Sequence, residues 1–223
     1  MRRDDGWLLL PVAALLALPA LVLLDPVPQS SAAVQSVNPV RVQVNGHPAN
    51  SGFLAFIEQN VSLQADESEG TIAMGGDLRV GSNYNVAAGA VPQGSTFTAP
   101  GDSGPTYLYV GGGIDWANPS AVLRVQNSGF TKIAGTDTYD AFNTDSNGAD
   151  VDYRVVQQGA AYESVPRIEG VTHAQNPASV ATPVPSSLMD VAAAFTAYRA
   201  ITTQLAACAE TISLEDANGN PLG

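Results

Sequence analysis

Two stretches of the chain carry the same pattern: "IAMGGDL" at residues 72–78 and "LYVGGGI" at residues 108–114. In each, alternating apolar residues lead into a glycine run, and the alternation resumes on the far side. Period-two alternation is the mark of a strand with one buried face. Glycine between two such segments predicts a tight turn, because glycine accepts positive φ without steric cost. Each strand is too short to make a sheet alone. The pattern therefore predicts stacked coils, in which inward side chains are covered by the coils above and below. "AMGGDL" and "YVGGGI" become equivalent turns of neighbouring coils. A β-sandwich is the competing architecture, since short strands between Gly, Asn and Pro turns also build one.

Further strands are predicted at "VRVQV" (40–44), "NVSLQA" (60–65), "AVLRVQN" (121–127) and "DVDYRVVQQG" (150–159). The last places Val151, Tyr153 and Val155 on one face and Asp152 and Arg154 on the other. "NPASVATPVPSS" (176–187) is rich in Pro and Ser and reads as extended. It leads into a long amphipathic helix over 187–212. Ser187 followed by Asp190 has capping-box spacing, and Val191, Phe195, Tyr198, Ile201, Leu205 and Cys208 form one stripe. That stripe must lie on something, and the preceding strands are its expected partner. The aromatic residues on it are core rather than a ligand box.

At the other end, Arg2 and Arg3 precede an apolar run from Trp7 to Leu24, followed by Ser30, Ser31, Ala32 and Ala33. This is the layout of a secretory signal peptide over 1–32 or 1–33. The run is also near the length that spans a bilayer, so a retained N-terminal membrane anchor is the alternative. On this reading 33–51 is an N-terminal extension and 52–223 one β-rich domain. Nine Lys plus Arg stand against 21 Asp plus Glu, a net charge of -12, which disfavours nucleic acid as a partner. The single cysteine, Cys208, cannot form an internal disulfide and reads as a small buried apolar residue. His47 and His173, each alone in loop-like sequence, offer it no evident base.

No catalytic signature stands out. The most suggestive polar cluster is "NTDSNGADVD", with Asn143, Asp145, Asn147, Asp150 and Asp152. Alternating Asp and Asn before a glycine gathers hard oxygens of the kind calcium takes. The twelfth position of the loop is Arg154 where a bidentate Glu belongs, which excludes a full helix-loop-helix site. A solvated acidic turn explains the same residues. Calcium bound by these five is accordingly the one metal expectation, and no other cofactor is expected.

Three stretches carry a family resemblance: "EGTIAMGGDLRVGSNYNVA", "YLYVGGGIDWAN" and "DVAAAFTAYRAITTQLA". Together they resemble the choice-of-anchor A family of bacterial exported surface proteins, over roughly residues 50–212. The resemblance implies an extracellular domain, displayed by varied C-terminal devices, with an adhesive role and a shape similar to ice-binding β-solenoids with a helix alongside. After the helix only "SLEDANGNPLG" remains, which departs from the family's longer continuation. The expected function is a non-enzymatic extracellular or cell-surface module. Its expected partners are extracellular matrix, a surface glycan or an envelope component, and membrane only if the N-terminal segment is retained. A secreted polysaccharide-active enzyme using Asp145, Asp150, Asp152 and Arg154 is the alternative; its chemistry needs two carboxyl groups about 5–10 Å apart across a cleft. Ice binding is a third reading, but "TFT" (96–98) and "TDT" (136–138) occur singly rather than in rows.

Overall fold

The computed structural model describes residues 41–92, 94–207, 216–218 and 220. Its strands are short because each spans one side of a coil. The chain visits three faces in turn. β3 (Ala55–Ile57), β5 (Ile72–Met74), β8 (Thr106–Val110) and β11 (Phe130–Ile133) form the first face; β4 (Val61–Leu63), β6 (Leu78–Val80) and β9 (Ile114–Asp115) the second. The third contains β7 (Tyr84–Val86), β10 (Val122–Val125), β14 (Arg167–Gly170), β13 (Asp150–Gln157) and β12 (Tyr139–Thr144), with β12 at one edge and β7 at the other. Pairing between successive coils is parallel throughout the first two faces. This is the stacked-coil architecture, not the sandwich.

The register answers the repeated motif. Ile72 pairs with Leu108 and Met74 with Val110 on the first face, and Leu78 pairs with Ile114 on the second. The glycine turns stack between them: Gly111 N–H donates to Met74 O at 2.8 Å and Gly112 N–H to Gly76 O at 2.9 Å. Neither Gly111 nor Gly112 has positive φ, which corrects the expected reason for glycine here. A Cβ on Gly111 would lie 2.5 Å from Gly75 O, and one on Gly112 would lie 2.9 Å from Asp77 N. Glycine is needed because backbone of adjacent coils meets backbone.

The spacing between coils varies because the crossovers vary. Asn60 and Asp77 are neighbours in the stack at a separation of 17 residues, whereas Asp77 and Gly113 are neighbours at 36. The difference lies in the long crossover from β7 to β8. Inward residues of all three faces meet in one core containing Met74, Leu78, Leu108, Leu123, Ile133, Tyr153 and Ile168, each at 1% exposure or less. A fully buried side chain of this kind contributes roughly 1.5–3 kcal/mol over leaving it exposed. At the end of the stack β12 and β13 turn antiparallel, as β13 does against β14.

The helix α2 runs over Val191–Ala206, beginning later than expected, and residues 208–212 of the expected span lie outside the described residues. Asp190 is its N-cap, accepting from Ala193 N–H at 2.9 Å, and Ser187 lies in the turn before it. Burial along its stripe stops at Ile201; Leu205 is 46% exposed, and Cys208 lies outside the described residues. The stripe packs on β3 and on the hairpin of β1 (Gln43–Val44) and β2 (His47–Pro48) through residues in and flanking that hairpin: Ala194, Ala197, Tyr198 and Ile201 meet Val42, Val44, Ala49 and Phe56. Phe56 and Phe195 stack with centroids 5.5 Å apart. The stretch expected to be extended contains a second helix, α1 (Pro177–Ala181). Asn176 caps it and Pro177 occupies its first turn, where a missing N–H has no cost.

Candidate adhesive surface

A solenoid can offer a partner its faces, its ends or its crossovers. The first face is not available. Its outward Ala73 is fully buried in a cluster with Phe53 and Met189, and Phe97, Tyr109, Val184 and Val191 pack there too. The second face is narrow, and its outward row is Ser62, Arg79 and Asp115, with Arg79 Nη1 2.6 Å from Asp115 Oδ2.

The third face is broad; it is open at Arg124, 48% exposed, while the Tyr162 ring covers Arg154 and leaves Arg154 and Glu169 at 20% and 14%. Its outward residues line up across strands because parallel register brings Asn85 beside Arg124, Arg124 beside Glu169, and Arg154 beside Glu169 on the antiparallel side. A parallel bridge extends the row to Glu67, opposite Asn85. Glu169 is its centre: Arg124 Nε donates to one carboxylate oxygen at 2.6 Å, Arg167 Nε to the other at 2.5 Å, and Arg154 Nε is 3.7 Å away. Burial alone would raise the Glu169 carboxyl, but hydrogen bonds from Arg167 and Arg124, with their charges, hold it below the usual glutamate value. The guanidinium of Arg154 lies 4.1 Å over the Tyr162 ring and reaches Glu163 at 3.1 Å. Charge-assisted hydrogen bonds of this kind orient the Arg and Glu side chains of the row towards one another.

Beside the row is an open cleft of about 350 Å³ lined by Asp150, Asp152, Arg154, Tyr162, Glu169 and His173. Asp152 Oδ1 is 3.2 Å from His173 Nε2. The five residues expected to bind calcium divide between two settings. Asn143 is the penultimate residue of β12, and Asp145 and Asn147 form the hairpin turn, in which Asp145 Oδ1 accepts the Asn147 N–H at 2.8 Å and the Ala149 N–H at 2.9 Å. Asp150 and Asp152 are on β13, at the cleft. Those N–H groups hold the Asp145 carboxyl below the usual range. Among the described residues, no three His, Cys, Asp or Glu side chains are grouped as a metal site.

Thr138 of "TDT" serves the fold: it accepts the Ile114 N–H at 3.0 Å and donates to Gly135 O. Thr96 of "TFT" is buried. Sequence reasoning missed the row on the third face because neighbours in it, Asn85 and Arg124, Arg124 and Glu169, Glu169 and Arg154, are 15 to 45 residues apart along the chain. Only the coil register brings them together, although Arg124 between apolar Leu123 and Val125 is a local signal of an outward position.

The fold and this surface define a β-solenoid with an accompanying helix and an open sheet face. Residues 47–223 match the family described as "Putative Ice-binding-like adhesive domain" (pAdhesive_15), and the chain belongs to that family. It is an adhesive, ice-binding-like β-rich domain, of a family whose role lies outside the cell or on its surface. Comparison with curated proteins and with solved structures returns no match. Among the described residues no helix is long and apolar enough to cross a membrane.

Proposed function

We propose that this chain is a non-enzymatic contact module, exported by its N-terminal segment and displayed in the manner of choice-of-anchor A proteins. Matrix, a surface glycan or an envelope component is its partner, met through the third face. The observation that carries the reading is the contrast between faces. One broad face is sealed by α2 and the chain before it, while the other presents a fixed row from Glu67 through Asn85, Arg124 and Glu169 to Arg154. A surface that binds by contact gains from side chains held in place before the partner arrives.

Enzymatic cleavage of a polysaccharide is the weaker reading. A general acid must hold its proton near neutral pH, and Glu169, the best-buried carboxylate of the cleft, is held below its ordinary value, against the effect of burial, by Arg167 and Arg124. Ice binding is also weaker. Its flat rows of threonine would have to appear on an open face, and the outward rows are Ser62, Arg79 and Asp115 on one and Asn85, Arg124, Glu169 and Arg154 on the other.

The test is adhesion of cells displaying the chain to matrix-coated, glycan-coated and bare surfaces under flow. Replacing Arg124 and Glu169 by Ser should abolish attachment while circular dichroism is unchanged. Attachment that survives this change would remove the third face from the proposal.

A further inference from the structure

Lys132 and Asp102 are opposite charges taken out of water together. Their side chains are 1% and 3% exposed, and Lys132 Nζ lies 2.6 Å from Asp102 Oδ2. Lys132 is on β11 in the fourth coil, while Asp102 is in the long crossover between β7 and β8. The pair spans no cleft and faces no solvent, so neither charge serves the surface described above. Burying two full charges is expensive even when they are paired. A pair of this kind calls for a reason.

The surroundings supply one. Ser179 of α1 closes over the pair: its hydroxyl donates to Asp102 Oδ1 at 2.7 Å, and its carbonyl accepts from Lys132 Nζ at 2.6 Å. Gln175, fully buried, fixes Ser179 by donating to its Oγ at 3.1 Å. It is itself held by Thr131, whose N–H it accepts at 2.9 Å and whose carbonyl it contacts at 2.6 Å. The amine is thus at contact distance from a carboxyl group, in a dry site, with a hydroxyl donor fixed on the other carboxyl oxygen. Held proximity of this sort replaces a bimolecular encounter by an intramolecular one. A donor on the oxygen that gains charge is what acyl transfer requires.

We propose that Lys132 and Asp102 become joined by an amide bond between Nζ and Cγ. The proton passes within the pair from the ammonium to the carboxylate, leaving a neutral amine beside a neutral acid. Nζ attacks Cγ, and the oxygen facing Ser179 Oγ carries the developing negative charge. The other oxygen departs as water with the acid proton and one proton from Nζ. The C–N bond forms, the C–O bond breaks, and nothing is oxidised or reduced. The product ties the crossover before β8 to β11, the strand that pairs with β8 in the next coil. A covalent tie suits a domain pulled through whatever it adheres to; that use rests on the adhesive reading, whereas the bond itself does not.

The experiment is intact-mass measurement of the purified chain, with its ends fixed by terminal sequencing. The expected mass is about 18 Da below that of the sequence, one water lost. Trypsin should then release a branched fragment, residues 80–124 joined to 125–154, with two N-termini at Val80 and Val125 and no cleavage after Lys132. Asp102→Asn should lose ammonia instead, about 17 Da, and Lys132→Arg should show the full mass. A wild-type chain at its full sequence mass overturns the proposal, as does a deficit that persists in Lys132→Arg. Should Lys132→Arg fail to fold, the branched fragment of the wild-type chain decides alone.

Discussion

Asp77 reaches across one coil to Gly113: its Oδ1 accepts the Gly113 N–H at 2.8 Å, and a Cβ on Gly112 would lie 2.1 Å from the same oxygen. The side chain and the glycine depend on one another. Asn60 repeats the arrangement one coil earlier, its Oδ1 accepting the Asp77 N–H at 2.8 Å. Each coil therefore hands a side-chain acceptor to the next, and the small residue opposite keeps that path open.

Gly112→Val should accordingly destabilise the domain by about 1–3 kcal/mol, because the added carbons meet backbone of the neighbouring coil, which cannot yield. Gly46→Ala is the control: it has φ +83 but nothing within 4 Å, so only backbone strain applies, of about 1 kcal/mol. Urea midpoints compare the two. Equal losses would mean that the turns tolerate a side chain and that coil contact does not set the glycines.

The start of α2 gives a second comparison. Asp190→Ala removes the acceptor of the Ala193 N–H and should cost about 0.5–2 kcal/mol. Ser187→Ala, three residues before it and in the preceding turn, should leave the midpoint within error. The reverse order would place the cap where the capping-box spacing put it.

These two cases also show where the fold was legible. Alternation revealed β5, β6, β8 and the burial of Tyr153 and Val155, because inward and outward positions differ in polarity within a few residues. The stacking of residues 72–78 on 108–114 was legible because the motif is written twice. Three things were not. The glycines carry a steric requirement that one sequence cannot separate from a conformational one. The helix over Pro177–Ala181 hid in a Pro- and Ser-rich stretch, although Asn-Pro is a start signal. The ion row and the Lys132–Asp102 pair join residues tens of positions apart, and no local pattern encodes coil register.

Glu169 makes the third prediction, through pH. Its folded carboxyl is held below the ordinary glutamate value of 4.5, so the stabilisation is present above that value and is lost as pH falls through the lower, folded one. Glu169→Gln should lower stability at pH 7 and flatten the acid limb of the stability curve below about pH 4.5. Melting temperatures between pH 2.5 and 7, a window around the ordinary carboxylate values, read this directly. An acid limb parallel to that of the wild-type chain would mean that the arginines do not depend on this carboxylate.

The hairpin between β12 and β13 gives the fourth, by separating a turn from a calcium loop. Asp145 Oδ1 already accepts two backbone N–H groups, which is the work of a turn, and Asp152 faces His173 rather than Asp145. A site with a dissociation constant of about 10 µM would gain about 2.7 kcal/mol from 1 mM calcium, since free ion would stand at a hundredfold excess over that constant. In a domain of this size that gain raises the melting temperature by roughly 5–10 °C. The expected shift is below about 1 °C, with Asp145→Ala lowering the melting temperature equally with and without calcium. A rise of several degrees that vanishes in Asp145→Ala and in Asp150→Ala would instead establish that the five oxygen-bearing side chains converge on the ion when it is supplied.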